Sequence, residues 1–82
     1  MTLSQAIQQR IKNLITQSSD IRNYHQLATK AGLNESVVRA ILSGESKNPS
    51  TETMFFICVA FGMTLSEFYN DTLFNIDNIE DN

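Results

Sequence analysis

The sequence predicts an all-α domain of five helices, and three observations support that prediction. Apolar residues recur at the three- and four-residue spacing of amphipathic helices, and no segment shows the strict alternation of a half-buried strand. Residues that typically begin or end helices separate the apolar segments. The 82 residues include only three glycines and one proline, and 41% are hydrophobic, which favours a compact helical chain over a disordered one.

The first helix is predicted from one apolar face, which is formed by Ile7, Ile11, Leu14 and Ile15. We expect it to begin near Thr2 to Ser4, and the small polar residues of QSSDIRN break its pattern.

The second helix is predicted to begin at Tyr24, because Asn23 and Gln26 have the spacing of a capping box. It should stop at Gly32, since glycine adopts the left-handed conformation that ends helices at little cost. Its inward-facing residues are expected to be Leu27, Ala28 and Ala31.

The third helix follows a very short turn. Asn34 is predicted to cap it, with the side-chain oxygen accepting hydrogen bonds from free backbone amides. Glu35 in the first turn suits the positive end of the helix dipole. We expect this helix to run to about Ser43 and to end at Gly44.

Two further helices are predicted after the loop ESKNP, in which Pro49 pushes the preceding residue out of helical geometry. Ser50 should cap the fourth helix, which is expected to end at Gly62. Thr64 and Glu67 have the spacing of another capping box and predict a short fifth helix around residues 65–69.

The charge of the chain is unevenly distributed. Residues 1–70 hold all six basic side chains and five acidic ones, whereas residues 71–82 hold four acidic side chains and no basic one. The formal net charge of −3 therefore comes from the end of the chain, and a basic binding face on the body is not excluded. We expect one domain over residues 1–70, followed by an acidic tail over residues 71–82.

Helices 2 and 3, joined by a short turn that contains a glycine, have the form of a helix-turn-helix unit. The stretch LATKAGLNESVVRAILSG, followed by ESKNPSTETMFFICVAFGMTLSEF, resembles the lambda-repressor/Cro-like family, often called XRE. The resemblance covers roughly residues 3–70. It implies a five-helix lambda-repressor-like domain that binds double-stranded DNA, with helix 3 in the major groove, and acts as a transcriptional regulator, which we expect to be a repressor.

The third helix has two contrasting faces. At about 100° per residue, Val38, Ile41 and Leu42 share one side, and small residues lie nearly opposite. Small side chains allow a close approach to base edges. The residues expected to face the bases are Glu35, Ser36, Val37, Arg39, Ala40 and Ser43. From the helical wheel alone, a merely solvated helix is an equal alternative.

The resemblance assigns base contacts to the positions of Glu35, Ser36 and Ala40. Relatives often have glutamine where this chain has Glu35, and a carboxylate only accepts hydrogen bonds, so base preference should shift toward a C·G pair. Arg39 can contact guanine or phosphate, and it can equally pair with Glu35 one turn away. The residues expected to contact phosphate are Asn23, Tyr24, Asn34, Lys47, Asn48 and Ser50.

The fourth helix is apolar on all sides, so both sides need to be covered. One side should enter the core. The other carries Phe55, Phe56 and Val59, which we predict to be covered by a second copy in a homodimer, with some involvement of the tail. The alternative is coverage by the chain's own tail, through Leu73, Phe74, Ile76 and Ile79. Phe74 is therefore a further candidate for the dimer interface.

The acidic tail has two interpretations. Its four carboxylates suggest weak competition with DNA or a flap that binds a protein partner, and the alternative is a frayed, solubilising terminus. Nothing in the sequence predicts a cofactor, a metal site or catalysis, because His25 is the only histidine and Cys58 the only cysteine. The single cysteine and the lack of a membrane-spanning segment lead us to expect a cytoplasmic protein.

One alternative function keeps the fold but not the DNA contact. In that case the domain binds a protein, as an antitoxin-like or anti-repressor partner does. Glu35, Ala40 and the negative net charge favour this alternative. Salt-sensitive binding to duplex DNA distinguishes the two functions.

Overall fold

The computed structural model describes residues 1–80, and all regular structure within that range is helical. Five α-helices follow one another as α1 (Leu3–Gln17), α2 (Tyr24–Ala31), α3 (Glu35–Ser43), α4 (Thr51–Ala60) and α5 (Leu65–Tyr69). Two 3₁₀ turns, Thr72–Phe74 and Ile76–Asn78, come after them. The predicted all-α class and the five helices are confirmed. None of the helices described is both long and apolar enough to cross a membrane.

Side-chain caps fix where several helices begin. Thr64 and Glu67 form the predicted capping box at the start of α5, and Ser50 accepts from the Thr53 amide at the start of α4. The capping box predicted for α2 is only half formed. Asn23 accepts from the Gln26 amide, but Gln26 Oε1 accepts from the amide before the cap, that of Arg22, at 2.7 Å.

The fourth helix ends two residues earlier than predicted. Its last residue is Ala60, and Gly62 lies beyond the end with a φ of +70°. The Gly62 amide donates to the Val59 carbonyl, and the Met63 amide donates to the Cys58 carbonyl. This is the double hydrogen bond of a glycine-terminated helix, which needs the glycine after the helix and not within it.

One apolar core joins the five helices. The second helix packs on α3 and α4, α1 packs on α3, and α4 packs on α5. The largest fully buried side chain is that of Phe68. Cys58 is also buried, and burial raises the pKa of its thiol. The core residues of the first three helices are those expected from the sequence, including Ile7, Ile11, Leu27, Val38 and Ile41.

The acidic tail contacts the body of the domain at residues 71–74 and again near its end, where the Glu80 amide donates to the Met1 carbonyl at 2.9 Å. The ring of Phe74 packs on Phe68 and Tyr69, with ring centroids 6.0 and 5.0 Å apart, and Asp71 faces Arg10 of α1. Residues 81 and 82, which include one of the four acidic side chains of the tail, lie outside the described range.

Candidate nucleic-acid interface

A turn of three residues sets the angle between α2 and α3. Gly32 has a φ of +72°, a conformation that costs other residues about 1–2 kcal/mol. The next amide, that of Leu33, donates to the Ala28 carbonyl at 2.9 Å, and the Leu33 side chain packs against the core. The turn is therefore held at both its backbone and its side chain, and it fixes α3 against α2.

The two faces of α3 are arranged as the helical wheel predicts. Val38 and Ile41 are buried, and Leu42 is half-buried against the core. On the other side Ala40 is half-buried, and the exposed residues are Glu35, Ser36, Val37, Arg39 and Ser43. Apart from the half-buried Ala40, the face with small side chains is thus open to solvent.

Asn34 stands at the cap position of α3 but does not cap it with its side chain, so that prediction is wrong. The amide of Val37, which a capping side chain would normally bind, already donates to the Asn34 backbone carbonyl at 3.1 Å. The amides of Glu35 and Ser36 make no hydrogen bond to other residues within 1–80. These amides and the Asn34 side chain remain available to an anion at the start of α3.

Glu35 pairs with His25, a residue to which the sequence assigns no role in the site. Its Oε1 lies 2.8 Å from Nδ1 of His25, one residue into α2. The alternative pairing of Glu35 with Arg39 does not form, because no nitrogen of Arg39 lies within 4 Å of a carboxylate among residues 1–80. The contact joins the first turns of α2 and α3. The sequence alone does not reveal this contact, because it depends on how closely the first turns of α2 and α3 approach each other in the fold.

Four of the six basic side chains make no ion pair within residues 1–80, namely Lys12, Arg22, Arg39 and Lys47. Arg10 binds Asp71, and Lys30 binds Asp20 at 3.2 Å. The Lys30 ammonium donates to Asp20 and lowers the pKa of that carboxyl. Of the four available cations, Arg39 lies on the open face of α3 and Lys47 lies in the loop that follows it.

The remaining candidate residues differ in whether their polar groups already form hydrogen bonds within the chain. Ser43 Oγ donates to the Ala40 carbonyl at 3.2 Å, and Ser50 Oγ donates to Thr53 Oγ1 at 2.9 Å, so both hydroxyl protons are used inside the chain. Asn23 caps α2 through its oxygen and keeps its amide nitrogen free. Tyr24 is half-buried against the core, and Asn48 is exposed.

Residues 10–72 match the family model of the Cro/C1-type HTH DNA-binding domain. The match spans α2, the turn and α3, and it continues through α5. This chain belongs to the Cro/C1-type helix-turn-helix family. No curated protein and no solved structure matches it. As a Cro/C1-type domain it has DNA as its partner, and α2 and α3 are its helix-turn-helix.

The outer side of α4 in this Cro/C1-type domain is uncovered. Phe55, Phe56 and Val59 remain 50%, 39% and 53% exposed, and the two phenylalanine rings meet edge to face at 5.7 Å. Residues 71–80, the part of the tail that the structure describes, leave this side exposed. Phe74 packs on α5, and Ile76 is 88% exposed. We call Phe55, Phe56 and Val59 the outer α4 face.

Proposed function

We propose that this Cro/C1-type protein is a sequence-specific transcriptional repressor that places α3 in the major groove of duplex DNA. The open face of α3 supports the proposal. It offers small side chains on one helix, together with an arginine that forms no ion pair and two amides that form no hydrogen bond within residues 1–80, which suits base edges and phosphates together. Repression needs no further surface, because a protein that occupies an operator obstructs transcription by itself.

In this proposal the contacts divide by chemistry. Ser36 and Ala40 approach base edges, with the methyl group of Ala40 suited to a thymine methyl, and Glu35 accepts from cytosine N4. Asn34, Lys47 and Asn48 bind phosphates and set the register of the domain on DNA. Ser43 and Ser50 contribute less, because their hydroxyl protons bond within the chain.

We also propose that the protein binds DNA as a homodimer through the outer α4 face. Three large apolar side chains are exposed together there, and a soluble surface seldom leaves such a cluster uncovered. A two-fold axis at this face would bring identical apolar surfaces together. Two α3 helices then read two half-sites on one face of the duplex, which multiplies the weak affinity of a single domain.

The test begins with selection of bound duplexes from random DNA, followed by fluorescence anisotropy with the selected duplex. Wild-type protein should bind with an affinity that falls steeply between 50 and 200 mM salt, as phosphate contacts require. Lys47→Ala should weaken binding to all sequences, and Arg39→Ala should weaken it by about fivefold or more. Lys30→Ala is the matched control, because that lysine is already paired with Asp20.

The outcomes separate the proposed function from its alternative. Binding that Arg39→Ala and Lys47→Ala weaken, and that Lys30→Ala leaves unchanged, supports DNA recognition by this surface. A protein that selects no sequence and ignores duplex DNA at 50 mM salt contradicts it and favours a domain that binds a protein instead.

A further inference from the structure

We propose that His25 is a positioning residue for base recognition, because its imidazole holds the carboxylate of Glu35 at the start of α3. The inference rests on the proposed function, in which Glu35 contacts a base. His25 itself need not touch DNA. Its role is to fix which carboxylate oxygen of Glu35 is free to contact a base.

The geometry of the pair supports this role. His25 Nδ1 lies 2.8 Å from Glu35 Oε1, which leaves Oε2 to accept a hydrogen bond from a base. Both side chains remain open, at 62% and 47% exposure, so a base edge has access to the carboxylate. A glutamate on the first turn of a helix otherwise has three free torsions, and this close contact with the imidazole removes part of that freedom before DNA arrives.

Other charged groups do not take over this function. Lys30 of α2 is bound to Asp20, and Arg10 of α1 is bound to Asp71. Three other charged side chains lie on α2, α3 or the helices packed on them, namely Lys12, Arg39 and Glu52. None of the three forms an ion pair with His25 or Glu35. Arg22, just before α2, forms none either. Among the charged side chains within residues 1–80, only His25 therefore lies within ion-pair distance of Glu35.

The experiment compares wild type with His25→Ala, His25→Gln and Glu35→Gln on the duplex selected from random DNA. The base pair read by Glu35 is defined as the position at which Glu35→Gln changes the preference. At that position wild type should prefer one base pair by about tenfold. His25→Ala should lose most of this preference and keep it at all other positions, and His25→Gln should restore it because its amide also donates.

The readout separates positioning from stability. The base-pair preference is a ratio of affinities within one variant, so a smaller folded fraction does not change it. Rescue by His25→Gln adds a check that a merely structural role would not pass.

Two failures are distinguishable. If Glu35→Gln alters no position, the base contact of the proposed function is wrong, and the role of His25 falls with it. If Glu35→Gln alters a position where His25→Ala keeps the wild-type preference, the base contact stands and the role of His25 is overturned.

Discussion

Arg10 and Asp71 are joined across the domain, with guanidinium Nη1 of Arg10 3.4 Å from the carboxylate Oδ2 of Asp71. The same guanidinium donates to the carbonyls of Phe68 at 2.8 Å and Glu67 at 3.0 Å, and it lies over the Phe68 ring. One side chain of α1 therefore holds both the end of α5 and the start of the tail.

Replacing Arg10 with alanine should lower the free energy of unfolding by about 2–3 kcal/mol, because two charge-assisted hydrogen bonds to carbonyls are lost and Asp71 is left partly buried without its partner. Asp71→Asn should cost less, about 1 kcal/mol, since the contacts to Phe68 and Glu67 persist. Urea unfolding followed by circular dichroism measures both. A loss below about 0.5 kcal/mol for Arg10→Ala would mean that the tail is not held by this side chain.

Gly32→Ala should destabilise the domain by about 1 kcal/mol, because the turn between α2 and α3 requires a positive φ. The cost is conformational, since a Cβ at this position meets no atom within 4 Å. Gly32→Asn is the matched variant and should cost less, as asparagine tolerates the left-handed region. Thermal unfolding of the three proteins checks the order, and an alanine variant as stable as wild type would contradict it.

The outer α4 face should control the oligomeric state. Phe56→Asp places a charge in the middle of the proposed homodimer interface and should leave a monomer, which sedimentation velocity detects directly. Ile76→Asp is the control, because Ile76 is also exposed and apolar but lies on the tail. A wild-type protein that stays monomeric at high concentration, or a Phe56→Asp protein that still dimerises, would refute the proposed interface.

The acidic tail should weaken DNA binding only through its charge. Asp77→Asn combined with Glu80→Gln removes two negative charges, and with them the contact of Glu80 Oε1 with the N-terminal amine of Met1 at 3.7 Å, while leaving Asp71 and Phe74 in place. If the tail competes with DNA, this variant should bind unselected duplex about two- to threefold more tightly at low salt, and the difference should shrink as salt screens it. Equal affinities at low salt would dismiss the competition.

The sequence predicts the helices well, because caps and apolar spacing are local signals. Ser50, Thr64 and Gly32 each mark a helix end where the structure has one. The face of α3 was equally accessible to prediction, since burial of Val38 and Ile41 follows from helical spacing alone.

What the sequence could not predict depends on contacts between distant residues. The sequence shows Arg10 only as one of six basic side chains, and the fold brings Asp71 within its reach. The sequence alone gives His25 no role, because its partner Glu35 lies on another helix. The missing side-chain cap at Asn34 has a different, local origin, since the Val37 amide donates to the Asn34 backbone carbonyl and not to its side chain.

The central claim is that the small-residue face of α3 docks on DNA, and a nuclear magnetic resonance titration of ¹⁵N-labelled protein with its selected duplex tests it most directly. The account predicts that the amide signals of Ser36, Arg39 and Ala40 shift or broaden strongly, together with that of Lys47. Saturation with duplex that leaves these signals in place while signals elsewhere move would contradict it.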